Sequence, residues 1–285
     1  MSDPRDALDA IGQLPDVEID LAGAAIQLAR IDAPGLDWQA AMRHLSELAR
    51  QAVSLADDLP STDLAARAGA LAQLLTGRHG YAGDTETYDD PVNANLIQVI
   101  KRRRGLPVAL GILWLHCARA VGWGAHGVDF PGHFLVALEG QNPTRRGRTP
   151  EHRQMIVDVF AGGVPLAASD MRSLLKRVEG PDAELRPGVL QPMSSRSVLL
   201  RLQNNIKGRR LATNDLPGTL SAIQDMLRIA PDVAVLWREA ALVNQQLERV
   251  GAAVRCYERF LDLVPQGDAA LRTRAAIDEL RSRLN

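Results

Sequence analysis

The chain has 285 residues, of which 46% are hydrophobic and 24% charged, the composition of a folded globular protein rather than a disordered one. Its 33 Lys and Arg residues balance 34 Asp and Glu residues to a formal charge of −1, and 4% of residues are aromatic, which argues against a general nucleic-acid coat or a polybasic membrane binder. No apolar run approaches the roughly 20 residues that span a bilayer, and the acidic first ten residues lack a signal-peptide pattern, so we expect a cytoplasmic protein with no membrane partner.

The N-terminal region predicts a layer of helices. Apolar residues recur at helical spacing over 21–31, 38–53 and 64–75, with proline or glycine between these segments. A polar stretch over 80–85 predicts a loop. No residue of this layer indicates chemistry, so we interpret it as covering part of a hydrophobic core.

A buried helix is predicted to begin at Pro107, because the residues from there to Val121 are mostly apolar and proline is favoured in the first helical turn. The basic run 101–104 precedes it. We predict that this run is a solvated helix end, whose positive charge complements the dipole at a helix C-terminus. Phosphate binding is the alternative.

Two apolar strands are predicted over 133–138 and 155–160, on either side of a polar loop. If they form a hairpin in which Glu139 pairs with His152, then His133 lies directly opposite Asp158 on one face of the sheet. A carboxylate in that place would hold the imidazole in one tautomer and stabilise its charged form. A buried pair with a purely structural role is the alternative, and a slip of one residue would separate the two side chains.

Neither a metal nor a cofactor is expected. The two cysteines, Cys117 and Cys256, are far apart and form no CxxC pair, which excludes the usual thiolate zinc pattern. His116, Cys117, His126 and His133 are close in sequence, but adjacent helical residues point in different directions and no HExxH motif is present. The apolar neighbours of Cys117 predict an inert core residue.

The C-terminal third has a period of 34 residues, the length of a tetratricopeptide (TPR) repeat. Pro231 and Pro265 are one period apart. Trp237, Ala253 and Tyr257 occupy positions at which the TPR pattern has Trp, Ala and Phe. A short helical array is therefore predicted, with a capping helix over 268–285.

Short TPR arrays often bind peptides on their concave face, so a protein or peptide is the expected partner. The alternative is that so short an array only braces the rest of the chain. The residues predicted on the concave face are Arg201, Asn204, Arg238 and Gln245.

The strings RRRGLPVALGILWLHCARAVGW, VDFPGHFLVAL and VDVFAGG resemble the transglutaminase-like domain of bacterial SirB-type proteins, and the order of core and repeats is similar too. The resemblance implies an α+β fold: a helical N-terminal layer with a papain/transglutaminase-like core, in which a central helix packs on an antiparallel sheet, followed by an all-α TPR-like segment. It implies domains over 1–190 and 191–285.

In active members of this superfamily, a cysteine at the start of the central helix is the nucleophile, and a His and an Asp on neighbouring strands complete the triad. The resemblance places the His at His133, the Asp at Asp158 and the cysteine position at Pro107. Proline supplies no nucleophile. Cys117 lies ten residues further along the helix, about 15 Å away, so thiol-based acyl transfer is not expected.

Three functional hypotheses follow. The first is a degenerate, non-catalytic transglutaminase-like protein that binds a protein or peptide, with a regulatory role suggested by the resemblance. The second is a hydrolase or acyl-transfer enzyme in which His133, oriented by Asp158, activates an external nucleophile such as water. The third is nucleic-acid binding through the basic runs 101–104 and 145–148, against which the near-zero net charge argues. No pattern indicates an oligomeric state.

Overall fold

The computed structural model describes residues 3–56, 59, 63–141, 152–186 and 188–282. The chain divides into two compact units: a core unit within 16–202, and a repeat unit made of the first 15 residues together with 203–285. The predicted domains over 1–190 and 191–285 stay a prediction. The combination of a mixed helix-and-sheet core with an all-helical repeat segment is confirmed.

The predicted helical layer of the core unit is present. It consists of α2 (Leu21–Asp32), α3 (Trp38–Ala56), α4 (Leu64–Ala72) and α5 (Leu96–Arg102). Carboxylates cap two of these helices, because side-chain oxygens of Asp20 and Asp63 accept hydrogen bonds from backbone N–H groups of the first turn that have no partner within the helix. One π-helical segment (Gln73–Arg78) continues α4.

The central helix, α6 (Pro107–Ala120), begins at the predicted proline. Every residue from Pro107 to Leu115 is buried, as expected for a helix that is hydrophobic on all sides. Gly111 allows α6 to approach the sheet, since a Cβ at this position would lie 2.2 Å from the Phe134 ring. The helix is therefore fixed against the strand that begins at His133.

An antiparallel five-stranded sheet forms the other half of the core unit, in the order β6-β5-β4-β3-β7. Its strands are β3 (Ala125–Phe130), β4 (His133–Gln141), β5 (His152–Asp158), β6 (Val164–Leu166) and β7 (Pro192–Met193). Apolar side chains of β3, β4 and β5 pack on Met171 and Leu175 of α7 (Ala168–Glu179).

The register predicted for β4 and β5 is wrong by two residues. Glu139 pairs with Gln154, and it is Gln141 that pairs with His152, because β4 continues into the segment predicted as loop. The rest of that loop, including the basic run 145–148, lies outside the described residues. A shift of two keeps every side chain on its original face, so His133 and Asp158 still share a face as diagonal neighbours.

The repeat unit is helical throughout its described part. The helix α8 (Ser195–Ala212) enters it from residue 203, and α9 (Leu216–Ile229), α10 (Ala234–Gln246), α11 (Val250–Leu263) and α12 (Asp268–Ser282) follow. The predicted capping helix corresponds to α12, whose Ile277 and Leu280 pack with Ala253 and Tyr257 of α11.

The first helix, α1 (Pro4–Gln13), packs on α9 within the repeat unit. Arg5 Nε lies 3.0 Å from Asp225 Oδ1, and a Cβ at Gly12 would lie 2.1 Å from the carbonyl oxygen of Arg228. The small residue therefore permits close contact between the two helices. Nothing in the sequence pattern indicates this pairing.

Candidate functional site

His133 is the first residue of β4 and follows a two-residue turn. Phe130 pairs with His133 across this turn, which consists of Pro131 and Gly132. Gly132 has φ +68°, and proline followed by a residue with positive φ is the pattern of a type II turn. The sequence Pro-Gly-His therefore fixes the histidine at the rim of the sheet.

Asp158 ends β5 and is held by the turn that follows. Its Oδ1 accepts hydrogen bonds from the backbone N–H groups of Phe160 (3.0 Å) and Ala161 (3.1 Å). Gly162 and Gly163 supply the positive φ angles that reverse the chain, and the Gly163 N–H donates to the Asp158 carbonyl at 2.7 Å. The carboxylate thus has a fixed position that does not depend on the histidine.

The two side chains meet. His133 Nε2 lies 3.0 Å from Asp158 Oδ1, and their side chains are 17% and 12% exposed. The distance suits an ion pair, but the ring N–H is not directed well enough for a hydrogen bond. Burial raises the pKa of Asp158, whereas His133 and the N–H groups of Ala161 and Phe160 lower it by more, so this carboxyl titrates below its usual range.

Aromatic rings and one glycine surround this pair. The Phe160 ring lies edge-to-face with His133 (centroids 6.2 Å apart) and with Tyr88 (5.9 Å). A Cβ at Gly83 would lie 2.5 Å from the Phe160 ring, and the Gly83 N–H donates to the Phe160 carbonyl at 3.3 Å. Gly83, Tyr88 and Phe160 were not predicted from the sequence, although the adjacency of Asp158 and Phe160 in the VDVFAGG string was a signal.

Gly83 also connects the site to the start of the central helix. The short strands β1 (Ala82–Gly83) and β2 (Arg104–Gly105) are parallel, and Gly83 pairs with Gly105, two residues before Pro107. The same glycine thus contacts the segment that leads into α6 on one side and Phe160 on the other. Pro107 is buried at the first position of α6.

Neither thiol is suited to nucleophilic attack. Cys117 is fully buried, and burial raises the pKa of its thiol to about 12. Cys256 belongs to the repeat unit, where burial also raises its pKa. Reactive cysteines need a lowered pKa and access to solvent, so the described residues contain no activated thiol.

The basic run 101–104 lies at the C-terminal end of α5, as the sequence predicted, and Lys101 and Arg104 are exposed, whereas Arg102 and Arg103 are partly buried. Arg102 Nη2 lies 2.8 Å from Asp84 Oδ2, and its Nη1 donates to Asn93 Oδ1 at 2.7 Å. Arg103 donates to His44 and Tyr81. These contacts anchor the 84–93 segment because an arginine fork bonds two partners at once.

The structure does not gather the predicted partner-binding residues into one set. Arg201 belongs to the core unit, where its Nε lies 3.1 Å from Asp129 Oδ1. Asn204 and Arg238 are exposed in the repeat unit. Gln245 accepts a hydrogen bond from the Tyr257 hydroxyl at 2.7 Å. Their role in binding stays a prediction.

No three His, Cys, Asp or Glu side chains converge as metal ligands among the described residues. His116 contacts the Leu45 carbonyl at 2.9 Å, and His126 contacts Glu139 at 2.7 Å. None of the helices in the described ranges has the length and hydrophobicity of a membrane-spanning segment.

A groove of about 770 Å³ beside β5, β6 and α7 does not include the His133–Asp158 pair.

Comparison with known proteins identifies the families of both parts of the chain. Residues 37–204 match the transglutaminase-like superfamily, and residues 206–285 match the tetratricopeptide repeat. The chain belongs to the transglutaminase-like superfamily. The resemblance to SirB-type proteins is confirmed by relatives named UPF0162 along most of the chain.

Three of these relatives illustrate the range of sequence identity. A UPF0162 protein of Pseudomonas aeruginosa is 30% identical, with 98% of this chain and 96% of that protein aligned. One of Xylella fastidiosa is 28% identical over 90% and 88% of the two chains, and YchA of Escherichia coli is 23% identical over 90% of each. A crystal structure of menin aligns with a TM-score of 0.39 and 13% identity over 98% of this chain and 70% of that chain.

Proposed function

We propose that this protein binds a protein or peptide through its repeat unit, in a regulatory role, and that its transglutaminase-like core performs no thiol chemistry. One observation carries the proposal: large apolar side chains are exposed on α8, α10 and α12 of the repeat unit, whereas the described residues of α9 and α11 expose none. The exposed residues are Leu211 (51%), Val235 (53%), Leu242 (45%) and Leu271 (63%).

One ion pair connects two of these helices. Lys207 Nζ on α8 lies 2.6 Å from Glu239 Oε2 on α10. Leu211 and Leu242 follow these two residues by four and three positions, which places each on the same face of its helix. An exposed leucine near a neutralised ion pair suits an apolar peptide side chain flanked by polar groups.

The experiment is site-specific photo-crosslinking in cells. A photoreactive phenylalanine analogue at Leu242 or Arg238 is expected to give one discrete adduct, identified by mass spectrometry. The matched control is Arg259, an exposed residue on α11, where no such adduct is expected. Leu211→Asp should abolish the adduct at Leu242, whereas equal adducts from all three positions would refute the proposed surface.

The family resemblance assigns Pro107 to the nucleophile position, and this assignment supports the proposal for the core. Incubation with thiol-directed probes and amide substrates is expected to give neither labelling of the native core nor turnover. Pro107→Cys tests the assignment itself, because a thiol at this position is expected to alkylate faster when His133 is present than in Pro107→Cys/His133→Ala. Equal rates would show that position 107 does not correspond to the nucleophile.

A second function is favoured by the 3.0 Å contact between His133 and Asp158. In this proposal His133 acts as a general base toward water, and Asp158 stabilises the imidazolium. Turnover of an amide or ester by the purified chain, lost in His133→Ala, would support the enzyme and contradict the non-catalytic proposal for the core.

A further inference from the structure

A second cluster of titratable side chains lies in the core unit, where α3, residues 78–81 and the end of α5 meet. Arg103 Nη1 lies 2.6 Å from His44 Nε2 and also bonds the Tyr81 hydroxyl. The guanidinium carbon is 4.7 Å from the centre of the Tyr81 ring. The His79 ring stands edge-to-face with that of His44, with centroids 5.2 Å apart.

No carboxylate bonds the Arg103 guanidinium within the described part of the chain. The partners of Arg103 among those residues are the neutral groups of His44 and Tyr81, although its side chain is only partly exposed. Glu47 is the acidic group that acts on the two histidines, but it is engaged by Arg50 and a glutamine. Charged groups removed from water are normally paired, so this arrangement favours an external anion.

Arg78 adds to the imbalance. It ends the π-helical segment and contacts the side-chain oxygen of Gln51 at 3.5 Å, while His79 Nε2 lies 2.9 Å from that oxygen. The backbone supports the placement of Arg103, which ends α5 at φ +60°, a conformation that non-glycine residues adopt at a cost. The guanidinium is thereby turned away from the α5 axis toward α3.

The surroundings of both imidazoles favour their neutral forms. Burial lowers the pKa of His44 to about 4, helped by Arg103 and His79 and opposed by Glu47. Burial, then Arg103 and Arg78, lowers the pKa of His79. Tyr81 is buried and its pKa is raised, with a contribution from Cys117 of α6. An anion bound here would reverse the effect of the arginines and favour the imidazolium forms.

We propose that Arg103, His44 and His79 bind a small oxyanion of the phosphate class, either inorganic phosphate or a phosphate monoester. An oxygen placed between Arg103 and His44 accepts from the guanidinium and from a protonated Nε2, replacing the present contact between the two side chains. His79 is next to His44, and because its Nε2 already bonds Gln51, its Nδ1 supplies the second donor in the imidazolium form. The site is separate from the His133–Asp158 pair and does not depend on the proposed function.

The test follows the histidine ring protons of the full chain by NMR, in inorganic phosphate and in chloride at equal ionic strength. Phosphate is expected to raise the pKa of His44 and His79 by about one unit or more and to raise the melting temperature. A phosphate monoester titrated in parallel separates the two sources, since the tighter ligand is the natural one.

Three variants complete the experiment. Arg103→Gln should lose the response to phosphate. His44→Gln should weaken it, and this milder change keeps the test valid if Arg103→Gln does not fold. Lys101→Gln is the matched control, because Lys101 is an exposed member of the same basic run and its loss should change nothing. Ring resonances that do not respond to either anion, or a response equally weakened by Lys101→Gln, would overturn the proposal.

Discussion

Replacing Asp84 with Asn should destabilise the core unit through one buried ion pair. The Asp84 side chain is 6% exposed and lies 2.8 Å from Arg102 Nη2. Its two oxygens also accept from the backbone N–H and hydroxyl of Thr87, at 2.8 Å each. This network fixes the segment that carries Tyr88 against Phe160, so its loss should reach the surroundings of His133.

The magnitude follows from these contacts. Asparagine keeps one oxygen for the Thr87 N–H, but its NH2 group then faces Arg102 and the Thr87 hydroxyl, both of which donate. A lost bond to a charged group costs about 1.5–3 kcal/mol, and breaking a fully buried ion pair costs about 3–5 kcal/mol. Arg102 is 32% exposed and regains some hydration, so we expect the free energy of unfolding to fall by about 2–3 kcal/mol.

Urea unfolding followed by circular dichroism measures this change, with Asp262→Asn as the control. The Arg259–Asp262 pair is exposed, so its loss should cost less than about 1 kcal/mol. Equal effects of the two substitutions would refute the assignment of a buried pair.

The pH dependence provides a second check. The backbone N–H of Thr87 lowers the pKa of Asp84 against the opposing effect of burial, with help from the Thr87 hydroxyl and Arg102. A lowered carboxyl pKa stabilises the fold above the unfolded value of about 4, and this stabilisation is lost as the pH falls through the folded pKa. The difference between the wild type and Asp84→Asn should therefore stay constant from neutral pH down to about 5 and shrink below about 4; a difference that persists undiminished in acid would contradict the reasoning.

Three further outcomes are expected. Gly111→Ala should lower the free energy of unfolding by about 1–3 kcal/mol because its methyl group overlaps the Phe134 ring, and a gain in urea stability, normal for glycine to alanine in a helix, would contradict the close packing. Cys117 should resist iodoacetamide in the native protein and react after denaturation, measured by intact mass; labelling of the native thiol would mean that it is not buried. Asp158→Asn should lower the melting temperature at pH 7 and lose its effect below about pH 4, since the folded pKa of this carboxyl is lowered, and scanning calorimetry across that range would expose an effect that does not depend on pH.

Helical periodicity and proline placement sufficed to predict α2, α3, α4 and the start of α6. The hairpin register did not follow from the sequence, because the length of β4 depends on how far its pairing with β5 continues, and the polar residues near Gln141 gave no end signal. The register error did not separate His133 from Asp158, because a shift of two residues leaves every side chain on the same face of the sheet. A shift by an odd number of residues would have placed His133 and Asp158 on opposite faces of the sheet.

The side-chain partners of Arg102 and Arg103 were not predicted, for a different reason. A run of basic residues at a helix end normally faces water, and only tertiary contacts place Asp84, Asn93 and Tyr81 within reach of the two guanidiniums. Those partners are separated from the run by up to about 20 residues, and no periodicity connects them. Gly83 and Tyr88 were missed for the same reason, since Arg102 anchors the loop that holds them in addition to the hydrogen bonds between Asp84 and Thr87.

The contact between His133 and Asp158 does not by itself indicate catalysis. Asp158 Oδ1 also accepts the two N–H groups that form the turn at Phe160, and Phe160 in turn contacts Gly83 beside the start of α6. Loss of the carboxylate would remove both hydrogen bonds from this turn, whether or not the core is catalytic. A role in stability alone therefore accounts for the aspartate, whereas no hydrogen bond from the His133 side chain to the backbone is found among the described residues. The two proposals for the core therefore make different predictions for His133. The enzyme proposal requires that His133→Ala abolish turnover, whereas the non-catalytic proposal requires no turnover in either the wild type or the variant.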